Sequence, residues 1–309
     1  FNNFMERETY QSSSGSKINL YSLLPMGEVR AVIHITHGMA EHALRYSRFA
    51  SKLANASYAV FAHDYRGHGF TKANDAPQGV FAESKGFSLV LEDQNEVISL
   101  IKERLPNKPI ICFGHSLGSI INLNFALKYP NQANALACWN SGIETGLLPQ
   151  VSRKILALEA LIRNPKLPSL IAWKLSFGAW NAKFKPNRTE FDWLSQDEEE
   201  VDLYVEDPLC GFDVSISMWR DILDGVFYAG NKKNLKNLPK ELPVHIIGGA
   251  NDPCTNNGRD MEKLAVKLRN NGLSDVTCKI LEYTRHESLN EINRDQTTAL
   301  FISWLQERF

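Results

Sequence analysis

The chain lacks the features that would attach it to nucleic acid or carry it across a membrane. Its 34 basic and 35 acidic residues nearly cancel over 309 residues, and no block of Lys or Arg suggests capture of nucleic acid. No uninterrupted apolar run reaches the roughly 18 residues that a transmembrane helix needs. The first residues also lack the basic stretch and apolar core of a signal peptide. These absences predict a cytoplasmic protein that does not bind nucleic acid.

Cysteine is also scarce, and its spacing shows no pattern. The five residues are Cys112, Cys138, Cys210, Cys254 and Cys278. An odd number of cysteines without regular spacing predicts free thiols in a reducing compartment and offers no set of metal ligands. We therefore expect neither a metal nor a cofactor.

What the chain does have is apolar residues, 43% of the total, arranged in short runs. Each run has the length and composition of a strand buried on both faces of a parallel sheet. The runs span residues 31–36, 58–64, 109–114, 135–141, 244–249 and 278–283. Helical periodicity over 86–105 and 256–271 alternates with them, and residues 5–24 resemble a hairpin. The alternation predicts an open α/β sheet with flanking helices.

One interval interrupts the alternation. Between about 141 and 243 no convincing β run occurs, and residues 144–215 are apolar, rich in Trp and punctuated by prolines such as Pro149, Pro165, Pro168 and Pro186. We interpret 144–215 as a helical cap inserted into a core made of 1–143 and 216–309. Its apolar side chains either enlarge the core or cover a ligand at the carboxyl ends of the strands, where open α/β sheets bind ligands.

The segment GHSLG, from Gly114 to Gly118, directly follows a predicted strand and precedes a predicted helix. Strand, sharp turn and helix together form the setting of a nucleophile elbow. The turn holds a serine hydroxyl outward, and the residues two positions on either side must lack bulk. Ser116 is therefore the predicted nucleophile.

A serine hydroxyl needs a base to take its proton and an acid to orient that base. Asp252 follows the strand at 244–249, and His286 follows the last predicted strand. Their order after Ser116 is the order of the triad in this type of fold. Asp64, which also ends a strand, is a weaker candidate for the acid because Gly67 and Gly69 mark its loop as turn architecture.

A tetrahedral intermediate also needs two backbone N–H donors. The amide of Leu117 follows the nucleophile and opens a helix. The loop after the strand at 31–36 contains Gly38, which lets the amide of Met39 face inward. Among the remaining histidines, three are expected to be packed in the core and two to lie near the site in structural roles. The first group is His34, His63 and His245, and the second is His42 and His115.

Six segments together resemble the monoacylglycerol lipase and lysophospholipase branch of the α/β-hydrolases. They are THGMAEHALRY, AHDYRGHG, FGHSLGS, EVDLYVEDPLC, GGANDPC and YTRHESLNE. The likeness runs from about residue 15 to the end and is weakest in 144–215. It implies Ser116, Asp252 and His286 as a catalytic triad, Met39 and Leu117 as oxyanion donors, and a helical cap. It does not transfer the substrate.

Three functions remain open at this point. An apolar cap favours hydrolysis of an ester with one acyl chain, such as a monoacylglycerol or lysophospholipid, with transient contact between cap and membrane surface. An aminopeptidase would need carboxylates at the entrance, which Asp197–Glu200 could supply. A binding protein that kept the fold is disfavoured because no triad residue is missing, and a serine in the elbow disfavours an aspartate-nucleophile dehalogenase or epoxide hydrolase.

Overall fold

An eight-stranded sheet runs through the centre of the computed structural model, which describes residues 5–309. Residues 1–4 of the predicted core lie outside the described part of the chain. The strands are β1 Glu6–Gln11, β2 Lys17–Leu23, β3 Ala31–Thr36, β4 Tyr58–His63, β5 Ile110–His115, β6 Ala135–Trp139, β7 Val244–Gly249 and β8 Val276–Leu281. Their order in the sheet is β1-β2-β4-β3-β5-β6-β7-β8. Strands β3 to β8 pair in parallel, so the predicted α/β class is confirmed.

The predicted hairpin is the antiparallel pair β1 and β2, which joins β4 at one edge of the sheet. Two predicted strand ends are wrong by two residues. Strand β6 stops at Trp139 because Asn140 has φ 59°, and β8 stops at Leu281 shortly before Tyr283 with φ 52°. A residue at positive φ cannot continue an extended strand. These turns begin the loops that carry polar side chains at the carboxyl edge.

Helices cover both faces of the sheet. They are α1 Ser47–Asn55, α2 Gly86–Arg104, α3 Leu117–Lys128, α4 Leu147–Ile162, α5 Ala179–Asn181, α6 Glu198–Glu206, α7 Ile216–Gly230, α8 Lys232–Leu235, α9 Arg259–Asn270 and α10 Arg294–Gln306. Side chains of α2, α3 and α9 pack in one apolar cluster, while α1 and α10 pack in a second cluster with β5 and β6. The predicted helix 256–271 starts only at Arg259, since Asn256, Asn257 and Gly258 all have positive φ.

Between β6 and α7 the chain forms α4, a π-helical turn at Lys174–Gly178, α5, α6 and short 3₁₀ turns. This segment reaches the carboxyl ends of the strands through its backbone. The amide of Glu287 donates to the carbonyl of Leu194 at 2.8 Å, and the amide of Gly211 donates to the carbonyl of Ala40 at 2.9 Å. Within residues 5–309, no helix combines the length and the apolar character needed to cross a bilayer.

Candidate active site

Ser116 lies at the sharp turn between β5 and α3, with φ 56° and ψ −120°. Such a backbone conformation costs about 1–3 kcal/mol in a non-glycine residue and persists only where the surroundings impose it. Here the amide of Ser116 donates to the carbonyl of Trp139 at 2.8 Å. A Cβ atom at Gly114 would collide with the carbonyl oxygen of Gly118, and a Cβ at Gly118 would collide with that of Thr36. The two glycines are therefore required by close backbone approach.

The structure brings the three predicted triad residues into one hydrogen-bonded chain. Nε2 of His286 lies 2.9 Å from Oγ of Ser116, and Nδ1 of His286 lies 2.9 Å from Oδ2 of Asp252. Asp252 is completely buried. Its carboxylate also accepts hydrogen bonds from the amide of Cys254 at 2.9 Å and the hydroxyl of Thr255 at 3.1 Å. These partners hold the carboxylate in the orientation that His286 needs.

Two opposing effects act on the protonation of His286. Burial alone would lower the pKa of His286, because a charged imidazolium is costly away from water. The carboxylate of Asp252 opposes this by charge and hydrogen bonding, and Glu287 and Glu41 add to it, so the pKa ends above its ordinary value. An imidazole in this environment can accept a proton from Ser116 and be stabilised as the cation.

The two predicted oxyanion donors lie beside the nucleophile. Met39 and Leu117 both line the cavity that contains Ser116, and neither backbone N–H has a hydrogen-bond partner among residues 5–309. The amide of Gly38 is instead directed to the Glu41 carboxylate at 2.8 Å. That hydrogen bond fixes the loop with the amide of Gly38 directed to Glu41, while the next amide, that of Met39, is left for another acceptor.

Sequence reasoning missed a buried ion cluster below this loop. Arg45 donates to Glu41 at 2.8 Å and to both oxygens of Glu287 at 2.7 and 2.9 Å. Burial would raise the pKa of Glu287, but the Arg45 guanidinium lowers it to about 2. For Glu41, burial outweighs Arg45 and raises the pKa. The spacing of four between Glu41 and Arg45 was the available signal, whereas Glu287 is remote in sequence.

The other candidate residues are placed away from the reacting atoms or in structural roles. Asp64 is buried and accepts from the amides of Ala43 at 2.8 Å and Phe70 at 2.9 Å, which fits turn architecture. His34 and His63 are buried, and Nε2 of His34 lies 3.0 Å from Nδ1 of His63. Burial lowers the pKa of His63 to about 4.

Three further histidines were predicted to be structural. His245 is buried, and its Nδ1 accepts from the indole of Trp139 at 3.1 Å. His42 lies 2.6 Å from Asp207. His115 lines the cavity, and burial followed by the charge of His286 lowers its pKa to about 3, which keeps the ring neutral.

A cavity of about 100 Å³ opens at Ser116. Five aromatic side chains line it, and four of them come from the 144–215 segment. They are Phe177, Trp180, Trp193, Tyr204 and Trp219. The ring of Trp193 lies 4.7 Å from that of His286 between centroids. The site can therefore exclude water from the serine hydroxyl while holding an apolar group.

The cap side chains that the sequence placed over a ligand do not all reach this cavity. Phe177 does, but five others are exposed. These five are Leu158, Leu161, Ile162, Leu170 and Ile171. Their exposure corrects the expectation that the apolar residues of the cap either form core or cover the ligand, because an apolar helix face can also point to solvent.

The acidic run Asp197–Glu200 lies outside the cavity. Asp197 pairs with Arg294 at 2.9 Å, and Glu200 pairs with Arg48 at 2.7 Å. The carboxylates that do line the cavity are Glu41 and Glu287, both of which are bound to Arg45. The described residues thus offer no uncompensated carboxylate to a substrate ammonium in this cavity.

The chain is similar to known hydrolases along most of its length. Residues 27–293 match the family model described as "Serine aminopeptidase, S33". Monoglyceride lipase from Rattus norvegicus is 26% identical over 289 residues, covering 92% of this chain and 85% of the relative. Monoacylglycerol lipase from Mycolicibacterium smegmatis is 28% identical over 293 residues, covering 91% and 90%.

Two solved structures share the fold along nearly the whole chain. A thermostable carboxyl esterase from Bacillus coagulans, in complex with glycerol, superposes with a TM-score of 0.90 at 22% identity and covers 98% of each chain. A soluble variant of monoglyceride lipase from Saccharomyces cerevisiae, in complex with a substrate analogue, gives a TM-score of 0.78 at 20% identity. It covers 98% of this chain and 96% of the other.

Proposed function

Because this chain belongs to the serine aminopeptidase S33 family, in the monoglyceride lipase branch of the α/β-hydrolases, we propose that it is a serine ester hydrolase acting on lipids. Its substrate carries one acyl chain, as a monoacylglycerol or a lysophospholipid does. One observation carries the proposal: the hydrogen-bonded chain from Asp252 through His286 to Ser116 ends in a cavity walled by aromatic rings.

The reaction runs through an acyl-enzyme. His286 takes the proton of Ser116 as its Oγ attacks the acyl carbonyl, and Asp252 stabilises the imidazolium. The backbone N–H groups of Met39 and Leu117 receive the oxyanion. Collapse of the tetrahedral intermediate breaks the ester C–O bond, and His286 protonates the departing alcohol. Water activated by His286 then hydrolyses the acyl-enzyme and releases the fatty acid.

The charges around the cavity favour an ester over a peptide with a free amino terminus. An aminopeptidase has to neutralise an ammonium group next to the scissile bond. Here Glu41 and Glu287 are already paired with Arg45, and the acidic run Asp197–Glu200 lies outside the cavity, with Asp197 and Glu200 paired to other arginines. The aromatic lining instead suits an acyl chain, since each buried methylene contributes about 0.8 kcal/mol.

The exposed apolar residues of the cap support a further part of the proposal. Eight large apolar side chains between 147 and 170 are exposed, among them Leu147 at 78% and Leu161 at 84%. A patch of this kind marks a surface that contacts a membrane or another protein. We propose that the cap touches the membrane surface transiently and takes up lipid there, which co-sedimentation with phosphatidylcholine vesicles would test.

The decisive experiment compares substrate classes on pure protein. We expect turnover of p-nitrophenyl esters and monoacylglycerols, rising with acyl length, and no turnover of aminoacyl-naphthylamides. Substrates stay below the critical micelle concentration so that aggregation does not imitate selectivity. Ser116→Ala protein is the matched control for spontaneous hydrolysis. Turnover of the naphthylamides alone would replace this proposal by the aminopeptidase, and turnover of neither class would leave a binding protein.

A further inference from the structure

Two neighbouring cavities share the same two tryptophans. Trp180 and Trp219 line the cavity at Ser116, and they also line a second cavity of about 170 Å³ beneath α4. We propose that the Trp180–Trp219 pair limits the length of acyl chain held next to Ser116, and that longer chains pass this pair into the second cavity. This inference rests on the proposed function, because it assumes an acyl substrate.

The second cavity has the chemistry of an aliphatic binding site. Its apolar lining includes Leu148, Ile155, Leu156, Ile171, Leu175 and Leu223. The polar side chains among the lining residues are Ser152 and Ser176, and Ser176 donates its hydroxyl to the carbonyl of Ala172 at 2.5 Å. Among residues 5–309, no charged side chain lines the cavity. A hydrocarbon tail would lose no hydrogen bond there and would remove apolar surface from water.

The wall between the cavities joins the cap to the core. Trp180 lies in α5 of the cap, and Trp219 lies in α7, which packs against α3 below it. The centroid of the Phe177 ring lies 5.6 Å from that of Trp180 and 6.4 Å from that of Trp219. Both tryptophans are only partly buried. A change in Trp180 therefore acts on the wall between the two cavities, and a change in Trp219 acts on that wall and also on the edge of the main core cluster, against which Trp219 packs.

Cavity size makes the second site necessary for a long chain. Pockets that bury drug-sized ligands have volumes of roughly 300–1,000 Å³. The cavities here are about 100 and 170 Å³, so neither alone reaches that range. A short acyl group needs only the first cavity. A long chain gains further contacts only by entering the second cavity, and each methylene buried there raises kcat/KM about fourfold.

The test fills the second cavity and leaves the first untouched. Ile155→Trp places a large ring in the lining of the second cavity, and Lys154→Trp places the same ring on the exposed face of α4 as a matched control. We expect Ile155→Trp to lower kcat/KM for dodecanoyl esters at least about tenfold, the value of fewer than two buried methylenes. Butyryl esters should be hydrolysed at the wild-type rate, and Lys154→Trp should match wild type at every length.

A second variant tests the passage itself and covers a failure of Ile155→Trp to fold. Trp219→Leu should join the two cavities and move the acyl length of maximal kcat/KM upward. Equal losses at all lengths in folded Ile155→Trp, or an unchanged optimum in Trp219→Leu, would overturn the inference while leaving the ester hydrolase intact. If wild-type protein hydrolyses no ester of any length, the proposed function itself fails.

Discussion

The floor of the site, made of Ser116, Asp252, His286 and the loops that carry them, differs from the cap above it, residues 144–215, in the forces that stabilise it. On the floor, Asp252 and His286 are almost fully buried, and their polar atoms bond to specific partners at 2.9–3.1 Å. The cap contributes mainly apolar rings to the cavity, and it exposes other apolar side chains such as Leu161. Hydrogen bonds are directional, whereas apolar contacts depend mainly on area and shape. The floor should therefore govern whether the reaction occurs, and the cap which substrate undergoes it.

The largest expected effect on activity comes from replacing the nucleophile at the centre of the floor. Ser116→Ala removes the attacking oxygen but opens no significant cavity, so the protein should fold normally and lose all turnover above background. Labelling by a fluorophosphonate should disappear with it, and thermal unfolding should stay close to that of wild type. Labelling that persists in Ser116→Ala would mean that a different serine is the nucleophile.

The next effect removes one charge from the floor. In an unrelated serine protease the corresponding change lowers kcat about 10⁴-fold because the histidine loses its oriented tautomer. We expect Asp252→Asn to lower kcat by several orders of magnitude with little change in KM. Asp64→Asn is the comparison, and it should mainly lower stability, since Asp64 receives two backbone amides in a turn. If Asp252→Asn stays active while folded Asp64→Asn does not, Asp64 is the acid.

Removing part of the cap should separate selectivity from chemistry. Replacing residues 147–180 by a Gly/Ser linker deletes Phe177 and Trp180 from the cavity but leaves Ser116 and both oxyanion amides. Wild type should gain about fourfold in kcat/KM per added methylene until the cavities are full. The variant should lose this dependence and still hydrolyse acetyl esters. A wild-type enzyme that prefers acetyl esters would contradict the lipid proposal.

The pH dependence tests the electrostatics of the floor more gently. His286 acts as a base only when neutral, and its pKa is raised above the ordinary value of 6.5. The value of kcat/KM should therefore rise about tenfold per pH unit on the acid side and level off above a midpoint higher than 6.5. A midpoint below 6.5 for a non-ionising ester would show that burial outweighs Asp252.

The smallest effect concerns a thiol at the boundary between floor and cap. Cys254 lines the cavity and contacts the aromatic cluster of the cap, while its amide bonds to Asp252. Burial, followed by the charge of Asp252, raises the pKa of this thiol, so a bulky maleimide should react slowly. Once attached, it should inhibit by displacing Asp252. Cys254→Ala protein treated in the same way should remain active, and full activity of the modified wild type would exclude this role for the loop.

The sequence predicted the floor better than the cap for a physical reason. The turn at Ser116 depends partly on backbone sterics within five residues, since Gly114 lies against the carbonyl of Gly118, and partly on the remote carbonyl of Thr36, which lies against Gly118. The short-range constraints can be recognised directly in the amino-acid sequence. The acidic run Asp197–Glu200 was open to a functional interpretation because its partners, Arg48 and Arg294, are remote in sequence.

The sequence by itself determined the alternation of strands and helices, the sharp turn at Ser116 and the order of the candidate triad. These follow from hydrophobic periodicity and from the backbone space that glycine allows. Only the tertiary structure decided that His286 meets Ser116 across 170 residues, that Arg45 reaches Glu287 across 242, and that Trp180 of the cap faces the same cavities as Trp219 of the core. Such contacts depend on how strands order in the sheet and how the cap packs on its edge, and no local rule of sequence specifies either.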